Sequence, residues 1–227
     1  MIPIRDNVAN RTFPFVNILL ILANIGIFIF ELNQPSPQAL ERFFGEWALI
    51  PAVLFRDPWG HGIRVFTSMF LHAGWSHLIG NMMYLWIFGD NVEDRVGHIR
   101  YLWFYLAVGT AAGLAQAFLF PSSGLPMVGA SGAIAGIMGA YFVLYPGSKV
   151  MTIVPIFIFI KFIEIPAIVF LGLWFLIQAY QGYGTLLHSA SEGVLNGGVA
   201  WWAHAGGFLA GFLLIFVFKK PRRSAVG

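Results

Sequence analysis

The sequence predicts an all-α membrane protein, a bundle of six transmembrane helices with a partly membrane-embedded loop after the first helix. Three observations carry this expectation. Of 227 residues, 58% are hydrophobic and 10% are charged, against about 45–50% and about 25% in soluble domains. The mean hydropathy is +0.76, more apolar surface than a core of this size can hide. The apolar residues also gather into six stretches, and Lys and Arg fall unevenly on the two sides those stretches define. This composition excludes a soluble globular enzyme, a disordered chain and a nucleic-acid-binding domain. The isoelectric point near 9.3 rests on a net charge of only +3, without the basic face that phosphate binding needs. There are no cysteines, so disulfides and thiolate metal sites are excluded.

The expected spans are residues 14–31, 74–90, 100–120, 131–146, 164–180 and 200–218, in a single domain covering 1–227. The first follows Arg5 and Arg11 and runs nearly unbroken to Phe30. Glu31-Leu32-Asn33-Gln34-Pro35 follows, with no small-x-small cleavage site, so a membrane helix is expected rather than a leader. Residues 35–64 interleave Pro, Trp and Phe with Glu41, Arg42, Glu46, Arg56 and Asp57. Such a stretch cannot span, but it can lie in the interface. The second span stops at Asp90, Glu93, Asp94 and Arg95, expected as a solvated helix end with salt bridges. The third is followed by Pro121-Ser122-Ser123-Gly124-Leu125-Pro126, a turn by composition. The fourth ends at Pro146-Gly147. Residues 151–178, punctuated by Pro155, Lys161, Glu164 and Pro166, are expected as a short interfacial connection and then the fifth span. Residues 181–198 are polar and glycine-rich, with Gly182, Gly184, Gly193, Gly197 and Gly198, and are expected as a mobile loop forming a lid. The sixth span stops at Lys219-Lys220-Pro221-Arg222-Arg223. No internal repeat supports an inverted-repeat transporter.

Orientation follows the basic residues. With the N-terminus in the cytoplasm, that side holds Arg5, Arg11, Arg95, Arg100, Lys149, Lys161, Lys219, Lys220, Arg222 and Arg223, and the other side Arg42, Arg56 and Arg64. That is ten of the 13 basic residues against three. The expectation is a multi-pass protein with both termini cytoplasmic, in a prokaryotic plasma membrane.

Polar groups at membrane depth are costly and need a reason. The candidates are His72, His77, Asn81, Ser131 and His204. Spans two, four and six all enter from the outer face, so His77, Asn81, Ser131 and His204 share a level in the outer half. Residues 131–145 reach only about 22 Å as a helix, against a hydrocarbon core of about 30 Å. The loop before Ser131 therefore dips, and irregular backbone at that depth must be buried in protein or line a wet cavity. Ser131 would sit at the floor of that cavity.

Gly129-Ala130-Ser131-Gly132 sets a serine between glycines at a helix start. It reads as an N-cap or as a nucleophile beside free helix N–H groups. A nucleophilic serine needs a base, and His204 is the best candidate, although a histidine hydrogen-bonded between helices is an equally ordinary reading. Gly207 and Gly211 line one strip of span six, and Gly132, Gly136 and Gly139 one of span four. Two such strips allow close approach. His77 and Asn81, four apart, share a helix face and could donate to developing negative charge. No HExxH pattern and no Asp or Glu lies in these outer segments to complete a metal set or a triad, so neither metal nor cofactor is expected.

These residues resemble the rhomboid intramembrane serine proteases. The resemblance covers essentially the whole chain. Its marks are His77-Leu78-Ile79-Gly80-Asn81, Gly129-Ala130-Ser131-Gly132, Ala203-His204-Ala205-Gly206-Gly207 with Gly211, and Glu93-Asp94-Arg95 as the Glu-x-Arg element. The resemblance implies a nucleophile at Ser131, a base at His204, and an oxyanion site of His77, Asn81 and the Ser131 backbone N–H. It implies transmembrane protein substrates cut near the outer face of the bilayer. Where the family often has Trp-Arg, this chain has Ile63-Arg64. Where some members place a Tyr on the histidine ring, it has Ala135. A catalytically dead relative would show a broken pair, and a channel would want ionisable residues through the full thickness.

Overall fold

The structure is a computed structural model that describes residues 2–156, 159–192 and 198–219. Helix α1 (Phe15–Leu32) starts after Pro14. Its outward face shows Phe15, Leu19, Leu22, Ile29 and Phe30, and its inward face buries Asn17, Asn24 and Glu31, seven residues apart and so on one stripe. The connection that follows is a chain of short helices, α2 (Pro37–Trp47), α3 (Pro51–Arg56), α4 (Pro58–His61) and α5 (Arg64–Thr67). Prolines at the first turns of α2, α3 and α4 start them without losing a needed donor. Trp59 stands 99% exposed, as suits an aromatic residue at a membrane interface.

The long helices are α6 (Trp75–Val96), α7 (His98–Leu119), α8 (Ser131–Leu144), α9 (Ala167–Glu192) and α10 (Trp201–Phe218). Among the described residues four helices, α1, α7, α9 and α10, are long and apolar enough to cross a bilayer, and α8 is a shorter apolar helix. Their outer faces carry exposed Leu, Ile, Phe and Trp, a surface that lipid covers and water would not. The protein is a helical integral membrane protein. Helix α10 packs against α8 and α7, and α6 against α8 and α1. The expected glycine strips meet. A Cβ on Gly211 would lie 1.8 Å from the Gly136 carbonyl oxygen, and one on Gly207 2.2 Å from that of Gly132. Only bare Cα atoms allow backbones this close.

Three expectations are corrected. The chain is not all-α: β1 (Ile2–Asp6), β2 (Lys149–Ile156) and β3 (Phe159–Pro166) form an antiparallel sheet in the order β1-β2-β3. Lys149 pairs with Pro166, and Asp6 with Val150. The sheet replaces the expected interfacial connection. Residues 149–166 are rich in Ile, Val and Phe, which suit a strand, and a short apolar run cannot be assigned to helix or strand by periodicity. Second, residues 181–192 belong to α9, so the expected glycine-rich lid is helix to Glu192; residues 193–197 lie outside the described residues. Gly182 serves packing rather than flexibility, because Trp202 Nε1 donates to its carbonyl at 2.9 Å and the indole ring lies over its Cα. Third, Glu93 is not solvated. It is 0% exposed and accepts the Val16 and Asn17 N–H groups at 2.9 and 2.7 Å, a carboxylate at the N-terminus of α1 where the helix dipole favours it. Asp90 and Asp94 bind Asn10 and Thr12 of the segment before that helix.

Candidate active site

The loop before α8 is held by the loop after α1. Leu49 N–H donates to the Met127 carbonyl at 3.1 Å and Met127 N–H to that of Leu49 at 2.8 Å. Ala52 N–H reaches Ser123 at 3.0 Å, and Gly129 N–H reaches Ser68 at 2.9 Å. Irregular backbone at membrane depth is tolerated when protein satisfies it in this way. The first loop is itself tied down, Arg64 Nη1 donating to the Gly45 carbonyl at 2.9 Å and Thr67 Oγ1 to that of Trp47 at 2.7 Å.

Ser131 opens α8. The cap is Ala130, with no side-chain capping bond, so the serine hydroxyl is not engaged as an N-cap. It faces His204 instead, with Oγ 2.8 Å from Nε2. His204 lies one turn into α10, and the Gly207–Gly132 approach beneath it brings the two helices within that reach. A cavity of about 830 Å³ opens over the pair, lined also by His77, Asn81, Gln116 and Trp201.

His77 and Asn81 sit on one face of α6 against the turn that leads to Ser131. Gly129 has φ +118°, and a Cβ there would be 2.6 Å from the His77 ring and 3.5 Å from Asn81 Nδ2. The Ser131 N–H belongs to the first turn, where N–H groups have no intrahelical partner. Four donors or acceptors expected from the sequence thus line one cavity. His72 is brought in behind them, its Nε2 accepting from Asn81 Nδ2 at 2.9 Å. Its ring lies edge-on to that of His77, 5.1 Å between centroids.

Two residues near the site were missed. Glu31, at the end of α1, is 3% exposed. Both its oxygens lie within hydrogen-bond reach of the His72 N–H, at 3.1 and 3.3 Å. Gln178 on α9 is 7% exposed, and its Oε1 lies 2.7 Å from His204 Nδ1. Both are polar residues inside apolar spans, the same signal that marks His77 and Asn81. Ala135 offers no ring to His204. The Trp174 ring of α9 lies beside it instead, at 5.8 Å and a 34° tilt. Among the described residues, no group of three or more His, Asp or Glu is placed to hold a metal ion.

Fold and site together define a helical integral membrane protein with a serine–histidine pair facing a cavity. The Rhomboid domain family profile matches residues 60–221. RHOMBOID-like protein 1 of Arabidopsis thaliana is 32% identical over 231 residues, covering 91% of this chain and 54% of its own length. Rhomboid protease GluP of Bacillus subtilis (strain 168) is 29% identical over 213 residues, 94% of this chain and 36% of its own length. RHOMBOID-like protein 6, mitochondrial, of Arabidopsis thaliana is 32% identical over 191 residues, 84% of this chain and 53% of its own length. The chain thus spans between 36% and 54% of the length of these relatives. It belongs to the rhomboid family.

Proposed function

We propose that this chain is a serine endopeptidase that cuts transmembrane segments of other membrane proteins near the outer membrane face. The carrying observation is the 2.8 Å contact of Ser131 Oγ with His204 Nε2 beneath a large cavity, in a membrane protein of a family that includes a relative named as a protease. In this reading His204 Nε2 takes the hydroxyl proton as Ser131 Oγ attacks the scissile carbonyl carbon. The oxyanion accepts from the Ser131 N–H, from His77 and from Asn81 Nδ2. The C–N bond breaks as His204 returns the proton to the leaving amine. Water then attacks the acyl ester, with His204 again as base. The cavity supplies room for that water. The proposal includes six spans in a single domain with both termini cytoplasmic, which the charge distribution supports.

The test is cleavage of a labelled single-span protein by the purified chain in detergent and in liposomes. The wild type should cut, while Ser131→Ala, His204→Ala and the double variant should all fall to one common residual level, because the pair acts as a unit. Near-native turnover in either single variant would overturn the assignment.

A further inference from the structure

We infer that Gln178 is a positioning residue for the base, holding His204 in the tautomer and ring orientation that leave Nε2 free to take the Ser131 proton. This rests on the proteolytic reading above. A buried amide oxygen in an apolar helix needs a donor, and among the described residues the partner of Gln178 Oε1 is His204 Nδ1, at 2.7 Å. An amide oxygen only accepts, so Nδ1 carries the hydrogen. In a neutral imidazole that leaves the Nε2 lone pair, and it points at a hydroxyl 2.8 Å away. The chain of bonds has one direction: Ser131 O–H to Nε2, then Nδ1–H to Oε1. The opposite tautomer would set two lone pairs against each other across the Gln178 contact.

Helix α9 supplies a second constraint. Trp174 lies four residues before Gln178, on the same face, and its ring flanks His204 at 5.8 Å. One residue limits the plane of the imidazole and the other its tautomer. A neutral amide also suits the depth of the site. When His204 is protonated during acylation, Nδ1–H still donates to Oε1, now as a charge-assisted bond. A carboxylate would do this too, but it would bury an uncompensated charge in the resting enzyme.

The closing experiment uses the full chain in detergent with Gln178→Leu and Gln178→Glu. Three quantities are read: cleavage kinetics on a single-span substrate, labelling by a fluorophosphonate that reacts with activated serines, and histidine ¹⁵N shifts assigned by loss of a signal in His204→Ala. In the wild type the His204 Nδ1 should be the protonated nitrogen. Gln178→Leu should lose about 10–10² in kcat, less than the about 10²–10⁴ that base catalysis contributes as a whole, with KM little changed and labelling slowed in step. Gln178→Glu keeps an acceptor at the same reach. It should hold most of the turnover and shift the acidic limb of the pH profile of kcat/KM to higher pH. A wild-type His204 protonated on Nε2 would overturn the inference, as would Gln178→Leu with unchanged kcat. So would equal losses in both variants that track a fall in Tm, which is what mere packing would give. The tautomer is read whether or not the chain cuts anything. A wild type that is neither labelled nor active would therefore sink the proteolytic reading and leave the judgement on Gln178 to the ¹⁵N shifts.

Discussion

Gly129 holds the cavity together by lacking a side chain. Its φ of +118° is a region L residues rarely adopt, and the His77 ring occupies the space a Cβ would take. Gly129→Ala should combine strain of about 1–3 kcal/mol with displacement of His77, lowering turnover by about 10² while Ser131 and His204 remain present. His77→Ala and Asn81→Ala should each cost about 10²–10³ in rate, the usual loss for one oxyanion donor. Cleavage assays decide both, and unchanged rates in the two donor variants would make these residues structural. Ser131, His204, His77 and Asn81 were legible in the sequence because each is polar inside an apolar stretch and the expected topology puts all four at one level. Glu31 and Gln178 met the first criterion as well. They escaped because partners for a histidine are sought among carboxylates in the segments around the serine, whereas here an amide from α9 reaches the ring and a carboxylate from α1 reaches a backbone N–H.

At the scale of elements, the α8–α10 pair decides whether the serine and the histidine meet. Gly211→Ala forces a Cβ against the Gly136 carbonyl oxygen, 1.8 Å away, and backbone on both sides cannot give as a side chain can. The expected loss is about 1–3 kcal/mol or more, read as a lower Tm in detergent, with activity falling as the helices part. Gly26→Ala is the control. Nothing lies within 4 Å of its added Cβ, so removing a helix-interior glycine should be neutral or stabilising by up to about 1 kcal/mol. Helix positions were readable because hydropathy reports long apolar runs directly. The strands were not. In residues 149–166 the apolar runs between Lys149, Thr152, Lys161 and Glu164 are short, and Pro155 argues against a helix without arguing for a sheet. The partner β1 lies far away in sequence, and no local pattern announces a pairing between such distant segments. The loop expectation for residues 181–192 failed for the opposite reason: Gly182 and Gly184 read as loop signals by composition, while that stretch is helical and packs against Trp202.

Across the whole molecule, the sheet and the acidic end of α6 fasten the N-terminal segment to the underside of the bundle. Asp6 is the knot. Its carboxylate accepts from Tyr141 Oη and from Asn91 Nδ2, with the Asp90 carboxylate nearby. Burial raises the Asp6 pKa above the usual carboxylate value, and the Tyr141 hydrogen bond only partly opposes this. A raised value means that folding favours the protonated form. The fastening should be tightest in acid and weaken as pH rises from the unfolded value of about 3.9 through the raised folded one. Asp6→Asn should remove that dependence. The comparison is Tm against pH for both proteins: their difference should grow in favour of the variant across this window, and parallel curves would refute the assignment. The pairing of Asp6 with Val150 also sets an order of assembly. On the ribosome, β1 is made long before β2, and α1 through α8 emerge between them. Contacts so distant in sequence form slowly, so β1 waits unpaired while most of the bundle is made. The seam can close only after α8 has been made, which puts Ser131 in the chain before the N-terminal segment is fastened and leaves His204 to arrive last.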